Sequence, residues 1–414
     1  MNVAALGSSV GLIAGRVASM ALGFLAWLVA ARLFTPQEVG LASGAVAAMM
    51  LCVQLAMVGI GSALISLFPR EQHEPGALLN SSFVSVLVTS ALMSLGFLAL
   101  ARGAFTELNV VASVPALAAV FVAMTVFGSI NVLMDNLSIA LRRGDQVLSR
   151  NIAFGVVTLA IPLSLAAFFV GYGTWLILAA WAAAGLTACA VGAFQVRRSL
   201  PVYRWRLRVD LPLVRRLVRV GLPNWALTMT ERGPALLMPV LVTELISPTT
   251  NAFWYAAWMM AWVVMIIPIS VGQTLFAEAS REPDQIARAT RHGLVTSLGL
   301  GAIAAAAMIV LARIALGFLG TAYADAGEGA LRVLVLTVVP FSLTQAYYAI
   351  CRARAQLGEA IAAGTIFGVG AVSAAIAAGV SSGLTQMAVA WLLVQAAAGI
   401  WAAVRLVAFV RSAP

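Results

Sequence analysis

The chain has 414 residues, of which 62% are hydrophobic and only 10% are charged, and its net charge is +10. Soluble domains contain about 45–50% apolar and about 25% charged residues, so the composition excludes an ordinary soluble fold. The mean hydropathy is +1.00, and apolar residues run from end to end, which predicts a polytopic membrane protein.

Apolar runs of the length that crosses a bilayer, about 20 residues, follow one another along the chain. Breaks rich in charge, proline or glycine separate them. The runs predict twelve transmembrane helices, at 7–31, 39–67, 77–101, 111–138, 151–171, 174–196, 218–246, 250–277, 293–319, 330–350, 358–379 and 384–410.

The two halves of the chain share a weak internal repeat. LFTPQEVGLASGA after the first span aligns with LISPTTNAFWYAA after the seventh, so that Thr35 meets Ser247 and Pro36 meets Pro248. A repeat of six spans keeps the same orientation in the membrane, as in two-lobed transporters. We predict two six-helix lobes related by a parallel pseudo-twofold repeat, at 1–196 and 218–414, with a basic cytoplasmic linker at 197–217.

The arginines set the predicted orientation. If the N-terminus is cytoplasmic, most arginines lie in cytoplasmic connections, and few lie outside, namely Arg32, Arg102, Arg313 and Arg332. The positive-inside rule therefore predicts a multi-pass membrane protein with both termini in the cytoplasm. Because the basic residues border apolar segments, we attribute the net charge to topology and expect no nucleic-acid partner.

Four ionisable residues fall within predicted spans: Arg16, Asp135, Glu231 and Arg232. A charge at the centre of a membrane helix costs about 2.5–3.5 kcal/mol on insertion scales, so such residues usually face a protein interior or a water-filled cavity. One hypothesis makes all four substrate-binding residues of a transport cavity. The alternative is a structural network in which Arg16 pairs with Glu231 and Arg232 with Asp135.

The segment RRSLPVYRWRLRVDLPLVRRLVRV, from Arg197 to Val220, holds the densest cluster of arginines. Trp205 and Tyr203 among these arginines are typical of a segment that lies on an anionic membrane leaflet. A solvated linker that obeys the positive-inside rule is the alternative. Anionic membrane lipids are therefore one expected partner.

The sequence contains no phosphate-binding GxxxxGK[ST] loop, no HExxH and no CxxC. Cys52, Cys189 and Cys351 have no paired spacing, so neither disulfides nor cysteine-ligated metal are expected. We predict no catalytic residue, no metal site and no cofactor, although coupling to H⁺ or Na⁺ through Glu231 or Asp135 is compatible with the pattern.

Three stretches resemble the polysaccharide-exporter branch of the multidrug/oligosaccharidyl-lipid/polysaccharide (MOP) exporter superfamily, which includes O-antigen flippases. They are GRVASMALGFLAWLVAARLFTPQEVGL from Gly15, ALRRGDQVLSRNIAFGV from Ala140, and VGLPNWALTMTERGPALLMPVLV from Val220. The resemblance implies a transporter for polyprenyl-diphosphate-linked glycans, with Arg16 and Arg232 at positions suited to the diphosphate. Arginine binds such oxyanions in a bidentate manner.

The predicted function is therefore a non-enzymatic flippase that moves a polyprenyl-diphosphate-linked oligosaccharide, or a related polysaccharide precursor, by alternating access. Its partners would be that glycan and the enzymes that assemble it. The first alternative is a multidrug or organic-cation antiporter of the same superfamily. The second is a membrane-embedded glycan enzyme, which the short outer loops disfavour.

Overall fold

The structure is a computed structural model that describes residues 21–71, 75–281 and 285–411. These residues are mostly α-helical and include no β-strand, which confirms the all-α class. The helices are α1 (Ala21–Leu33), α2 (Pro36–Met57), α3 (Ile60–Glu71), α4 (Gly76–Ala104), α5 (Asn109–Ser113), α6 (Pro115–Ala140), α7 (Gly144–Leu165), α8 (Gly173–Ser199), α9 (Leu211–Leu245), α10 (Pro248–Arg281), α11 (Ile286–Gly317), α12 (Thr321–Leu336), α13 (Val338–Ala353), α14 (Leu357–Ser382) and α15 (Leu384–Arg411).

Most of the helices have the length and composition of membrane spans. Within the described ranges, nine are long and apolar enough to cross a membrane, and α12 with α13 makes a tenth if the bent pair is one span. The apolar α1 and the 35-residue α9 are the remaining candidates. This inventory agrees with the prediction of about twelve transmembrane helices.

Two predicted spans are not single straight helices. The span predicted at 39–67 is broken between α2 and α3, where Val58 and Gly59 have φ values of 37° and 81°. The span predicted at 330–350 includes α13 and part of α12, which bend by 42°. Pro340 near the start of α13 has no N–H to donate to the preceding turn, which explains a bend at this point.

The chain forms two compact units, Met1–Met229 and Thr230–Pro414. The boundary between them lies inside α9. The linker predicted at 197–217 comprises the end of α8, a non-helical segment at 200–210 and the first turns of α9. The assignment of 1–196 and 218–414 as lobes stays a prediction.

The first unit has a continuous apolar core at one end of its helices. Phe68 of α3, Leu78 of α4 and Leu133 of α6 pack in this core, and Leu217 of α9 joins them with no exposed surface. The indole Nε1 of Trp225 donates a hydrogen bond of 2.7 Å to the carbonyl oxygen of Gln54. The first part of α9 is therefore held to α2 and α3 by both apolar and polar contacts.

A pair of glycines allows α9 to cross the break after α2. A Cβ atom at Gly221 would lie 1.9 Å from the carbonyl oxygen of Gly59, and one at Gly59 would lie 2.4 Å from the carbonyl carbon of Gly221. Gly59 also has a positive φ, which glycine adopts without strain. The two backbones touch only because neither residue has a side chain.

The second unit contains a row of tryptophans on α10. Trp254, Trp258 and Trp262 follow one another at four-residue intervals, which places them on one helix face. The ring centroids of Trp254 and Trp258 are 5.8 Å apart, and those of Trp258 and Trp262 are 6.3 Å apart. Trp391 of α15 meets Trp258 edge-on at 5.1 Å, so the row links α10 to α15.

Local structure repeats at positions that lie 212 or 213 residues apart in the two units. Thr35 caps α2 by accepting from the Glu38 N–H, and Ser247 caps α10 by accepting from the Thr250 N–H. The turn before α7 has Arg142 at φ 57°, and the turn before α14 has Ala355 at φ 54°. Each unit therefore starts the corresponding helices in the same way.

Candidate functional site

Glu231 and Arg352 form an ion pair inside the second unit. The Nη2 atom of Arg352 donates to Oε2 of Glu231 at 2.7 Å, and the two side chains are 24% and 12% exposed, respectively. The other carboxylate oxygen of Glu231, Oε1, is buried and accepts no hydrogen bond from any described residue. An unpaired buried carboxylate oxygen is costly, so this atom is the notable feature of the pair.

A cavity of about 70 Å³ lies beside Glu231. Most of its wall is aromatic and aliphatic, with a few polar groups among them. The lining residues are Thr230, Glu231, Pro234, Ala235, Trp258, Trp262, Met265, Thr337, Phe341, Thr344, Tyr348, Gly364, Phe367, Gly368, Trp391, Gln395 and Ala398. One water needs about 10–15 Å³ of such volume, so the cavity has room for a few waters or a small cation and is too small for an oligosaccharide.

Three helices bring the polar groups of this site together, and a fourth supplies its aromatic wall. Glu231 comes from α9, Tyr348 and Arg352 from successive turns of α13, and Gln395 from α15, while α10 supplies the tryptophan face. The 12% exposure of the Glu231 side chain shows that the protein, more than solvent, surrounds the carboxylate. The arrangement is an acid, neutralised on one oxygen by arginine, facing a largely aromatic space.

Arg232, the neighbour of Glu231 in sequence, has different surroundings. Successive residues of a helix point about 100° apart, and the structure places Arg232 on an exposed surface while Glu231 is partly buried. Arg232 is also engaged in an interaction within the protein. The two charges therefore belong to different faces of α9.

Asp135 belongs to the first unit, where it pairs with Arg150. The Nη2 atom of Arg150 donates to Oδ1 of Asp135 at 2.7 Å and to the Ser138 hydroxyl at 3.0 Å, and its Nη1 donates to Oε1 of Gln195. Arg150 is only 2% exposed. A network on α6, α7 and α8 thus surrounds this guanidinium, and Gln146 extends it to Ser199 at 2.7 Å.

Neither arginine partner was expected from the sequence. The predicted span at 151–171 begins just after Arg150, but α7 begins at Gly144, so Arg150 lies nearly two turns inside the helix and is buried. The predicted span at 330–350 ends before Arg352, but α13 continues to Ala353. The acidic residue Asp145 in the first turn of α7 is a helix-start signal that could have shown the first error.

Of the four predicted site residues, three lie within the described chain. Asp135 and Glu231 are each paired with an arginine of their own unit. The predicted structural network paired Asp135 with Arg232, but its partner is Arg150. Arg16 lies outside the described residues. Whether these side chains contact substrate stays a prediction.

The described residues form an all-helical membrane fold with buried or half-buried ion pairs between helices, and known structures share this fold. Three similar ones are transporters of the MOP superfamily. An inward-facing multidrug resistance MATE family transporter has a TM-score of 0.69 at 13% identity, and the alignment covers 97% of this chain and 100% of that transporter. An outward-facing multidrug resistance MATE family transporter has a TM-score of 0.68 at 13% identity, and the alignment covers 99% of this chain and 96% of that transporter.

The third, a MOP superfamily transporter from Pyrococcus furiosus described as having reverse polarity of its binding pocket, has a TM-score of 0.64 at 14% identity and covers 98% and 96%. At these identities the likeness defines the fold, which is that of MOP-superfamily transporters. The family described as "Polysaccharide biosynthesis protein" matches residues 7–277. The chain belongs to this family, whereas no curated protein matches it significantly.

Proposed function

We propose that the protein is a flippase that moves a polyprenyl-diphosphate-linked oligosaccharide, or a related polysaccharide precursor, across the bacterial cytoplasmic membrane. The observation that carries the proposal is the match of residues 7–277 to the polysaccharide biosynthesis family, on a fold shared with transporters solved in inward-facing and outward-facing conformations. Alternating access, with enzymes of glycan assembly supplying the substrate, is part of the proposal.

In this proposal the arginines and the acids have different tasks. Arg232, on the exposed face of α9, and Arg16 bind the diphosphate, because guanidinium groups pair well with phosphate oxygens. Glu231 serves the coupling ion, H⁺ or Na⁺. Its oxygen Oε1 has no hydrogen-bond partner among the described residues, and the adjoining cavity of about 70 Å³ offers room for a small cation but not for the glycan.

Arg352 then competes with the coupling ion. Its Nη2 atom lies 2.7 Å from Oε2 of Glu231, so it already occupies one of the two oxygens that a cation would bind. When a proton or a sodium ion binds the carboxylate, the guanidinium loses part of its electrostatic partner and becomes available for other contacts. Ion binding at Glu231 would thereby be sensed by α13, the helix that carries Arg352.

The test is to replace Arg16 and Arg232 by alanine in the cell that makes the protein. Surface glycan should be lost and the lipid-linked precursor should accumulate on the cytoplasmic side, at unchanged protein levels. A matched control replaces Arg102 and Arg291, two exposed arginines outside the proposed site, and should export normally. Normal surface glycan in the Arg16→Ala/Arg232→Ala protein would refute the assigned diphosphate site.

An organic-cation antiporter is the second candidate, and the aromatic lining beside Glu231 is the observation that favours it. Aromatic faces near a carboxylate attract organic cations, and two similar structures are described as multidrug resistance transporters. Under this alternative Glu231→Gln abolishes dye efflux, and a deletion strain becomes sensitive to cationic dyes. The arginine variants would then retain efflux, which is the opposite of the flippase result.

A further inference from the structure

The non-helical segment 200–210 between α8 and α9, called the strap below, is more than a connection. Its sequence alternates basic and apolar residues: Arg204, Arg206 and Arg208 are interleaved with Tyr203, Trp205 and Leu207. The strap therefore carries cationic and apolar groups along its whole length.

The strap is held to the first turns of α4 by four hydrogen bonds, one of which the side-chain amide of Asn80 donates to the carbonyl oxygen of Arg204 at 3.5 Å. Oη of Tyr203 and the backbone N–H of Arg206 both donate to Oδ1 of Asn80, at 2.9 and 3.0 Å, and the N–H of Asp210 donates to the Ser81 hydroxyl at 3.0 Å. Asn80 is buried. Burial raises the pKa of Tyr203 to about 12, so its hydroxyl remains a donor at neutral pH.

These contacts fix the level of the strap relative to the membrane helices. The strap follows directly after Ser199, the last residue of the apolar helix α8. Asn80 and Ser81 lie four and five residues after the start of α4, which is about 6–8 Å at 1.5 Å per residue. The strap thus lies across the ends of two candidate membrane spans, where lipid headgroups are found.

The apolar side chains of the strap and its flank are turned outward. Val202 is 87% exposed, Trp205 58%, Leu207 72% and Leu211 69%, and the three strap arginines are also exposed. A linker in water would leave this apolar surface uncovered. An anionic leaflet would bind both the apolar side chains and the arginines, because tryptophan prefers the membrane interface and arginines bind lipid phosphates.

We infer that the strap is a lipid-binding element that holds anionic phospholipids against this end of α4 and α8. The arginines contact the phosphates, and Trp205 and Leu207 insert at the boundary between headgroups and acyl chains. A basic residue near an anionic leaflet strengthens binding about fivefold, so three adjacent arginines make the preference for anionic lipid large. The inference is independent of the transported substrate.

The experiment places a spin label at Leu207→Cys in full-length protein in which Cys52, Cys189 and Cys351 are replaced by alanine. The protein is reconstituted into vesicles of phosphatidylcholine alone, or of phosphatidylcholine mixed with phosphatidylglycerol. Accessibility of the label to oxygen, which concentrates in lipid, is compared with that to a water-soluble nickel chelate. A label at Val170→Cys, which is 81% exposed on the arginine-free connection between α7 and α8, is the matched control.

With phosphatidylglycerol, the label at position 207 should gain oxygen accessibility and lose nickel accessibility several-fold, while that at position 170 should not change. Arg204→Gln/Arg206→Gln/Arg208→Gln should abolish the gain. Equal nickel accessibility at position 207 in both kinds of vesicle would overturn the inference in favour of a solvated linker. Protection of the label from both reagents in cell membranes, but not in vesicles, would overturn it in favour of a protein partner.

Discussion

At the scale of single residues, each intramembrane acid that the sequence singled out has an arginine partner near a helix end. Asp135 pairs with Arg150 and Glu231 with Arg352, both at 2.7 Å. The pairs differ in how completely they are satisfied. Arg150 has three side-chain partners, whereas Glu231 keeps one buried oxygen without a partner in the described chain. We interpret the first pair as structural and the second as functional.

Removal of Arg352 tests the coupling in the second pair. Arg352→Ala leaves a largely buried carboxylate without a counter-charge, so the free energy of unfolding should fall by about 3 kcal/mol. In a Glu231→Gln background the same substitution should cost much less, because a neutral amide replaces the carboxylate. Thermal unfolding of the four purified proteins measures both effects, and equal losses in the two backgrounds would show that the residues are not coupled.

Substitution of Arg150 should lower stability more than substitution of an exposed arginine on a neighbouring helix. Arg150→Met keeps the side-chain volume but removes the donors to Asp135, Ser138 and Gln195, so we expect a loss of about 3–5 kcal/mol in stability. Arg197→Met, at an exposed position of α8, is the control and should be neutral. Melting curves and the yield of monodisperse protein report the difference, and an Arg150→Met protein as stable as its control would contradict a structural role for this pair.

At the scale of helices, the structure differs from the predicted spans mainly where a predicted span is broken, as between α2 and α3. The predicted spans agree with the helices because the apolar runs are long and end at charges. The breaks were missed because hydropathy carries no information on backbone conformation: the sequence around Val58 and Gly59 is as apolar as a continuous helix, and only the crossing by Gly221 explains why the chain turns there.

Gly221→Ala tests the crossing of α9 over that break. The new methyl group would meet the Gly59 backbone, which cannot move aside as a side chain could, so folded protein should be largely lost. Gly96→Ala in α4 is the matched control, since its methyl group meets no atom within 4 Å, and it should be neutral or stabilising by up to about 1 kcal/mol. Size-exclusion profiles of fluorescent fusions distinguish the two, and equal profiles would disprove the tight contact.

At the scale of the whole molecule, the fold was more predictable than the site. Composition and arginine spacing are averages over many residues, so errors of a few positions at span ends do not affect them. The site depends on particular partners: α7 starting seven residues earlier than the predicted span converts Arg150 from a surface charge into a buried one. Such partners follow from helix packing, which the linear pattern of charges does not contain.

The predicted orientation in the membrane can be tested by labelling two highly exposed valine positions. Val170 and Val202 are 81% and 87% exposed and lie in successive connections. With both termini cytoplasmic, Val170→Cys in the cysteine-free protein should react with a membrane-impermeant maleimide in intact cells. Val202→Cys should react only after the cells are permeabilised. The reverse pattern would invert the topology and place the arginine-rich connection outside.

The pairing of Asp135 with Arg150 also bears on how the chain enters the membrane during its synthesis. The two residues are on consecutive helices, α6 and α7, that are separated by only a short turn. Each charge inserted alone would cost at most about 2.5–3.5 kcal/mol, the value for the centre of a bilayer, whereas a preformed hairpin presents the lipid with a neutral pair. Biogenesis of this region therefore favours insertion of α6 and α7 as a unit.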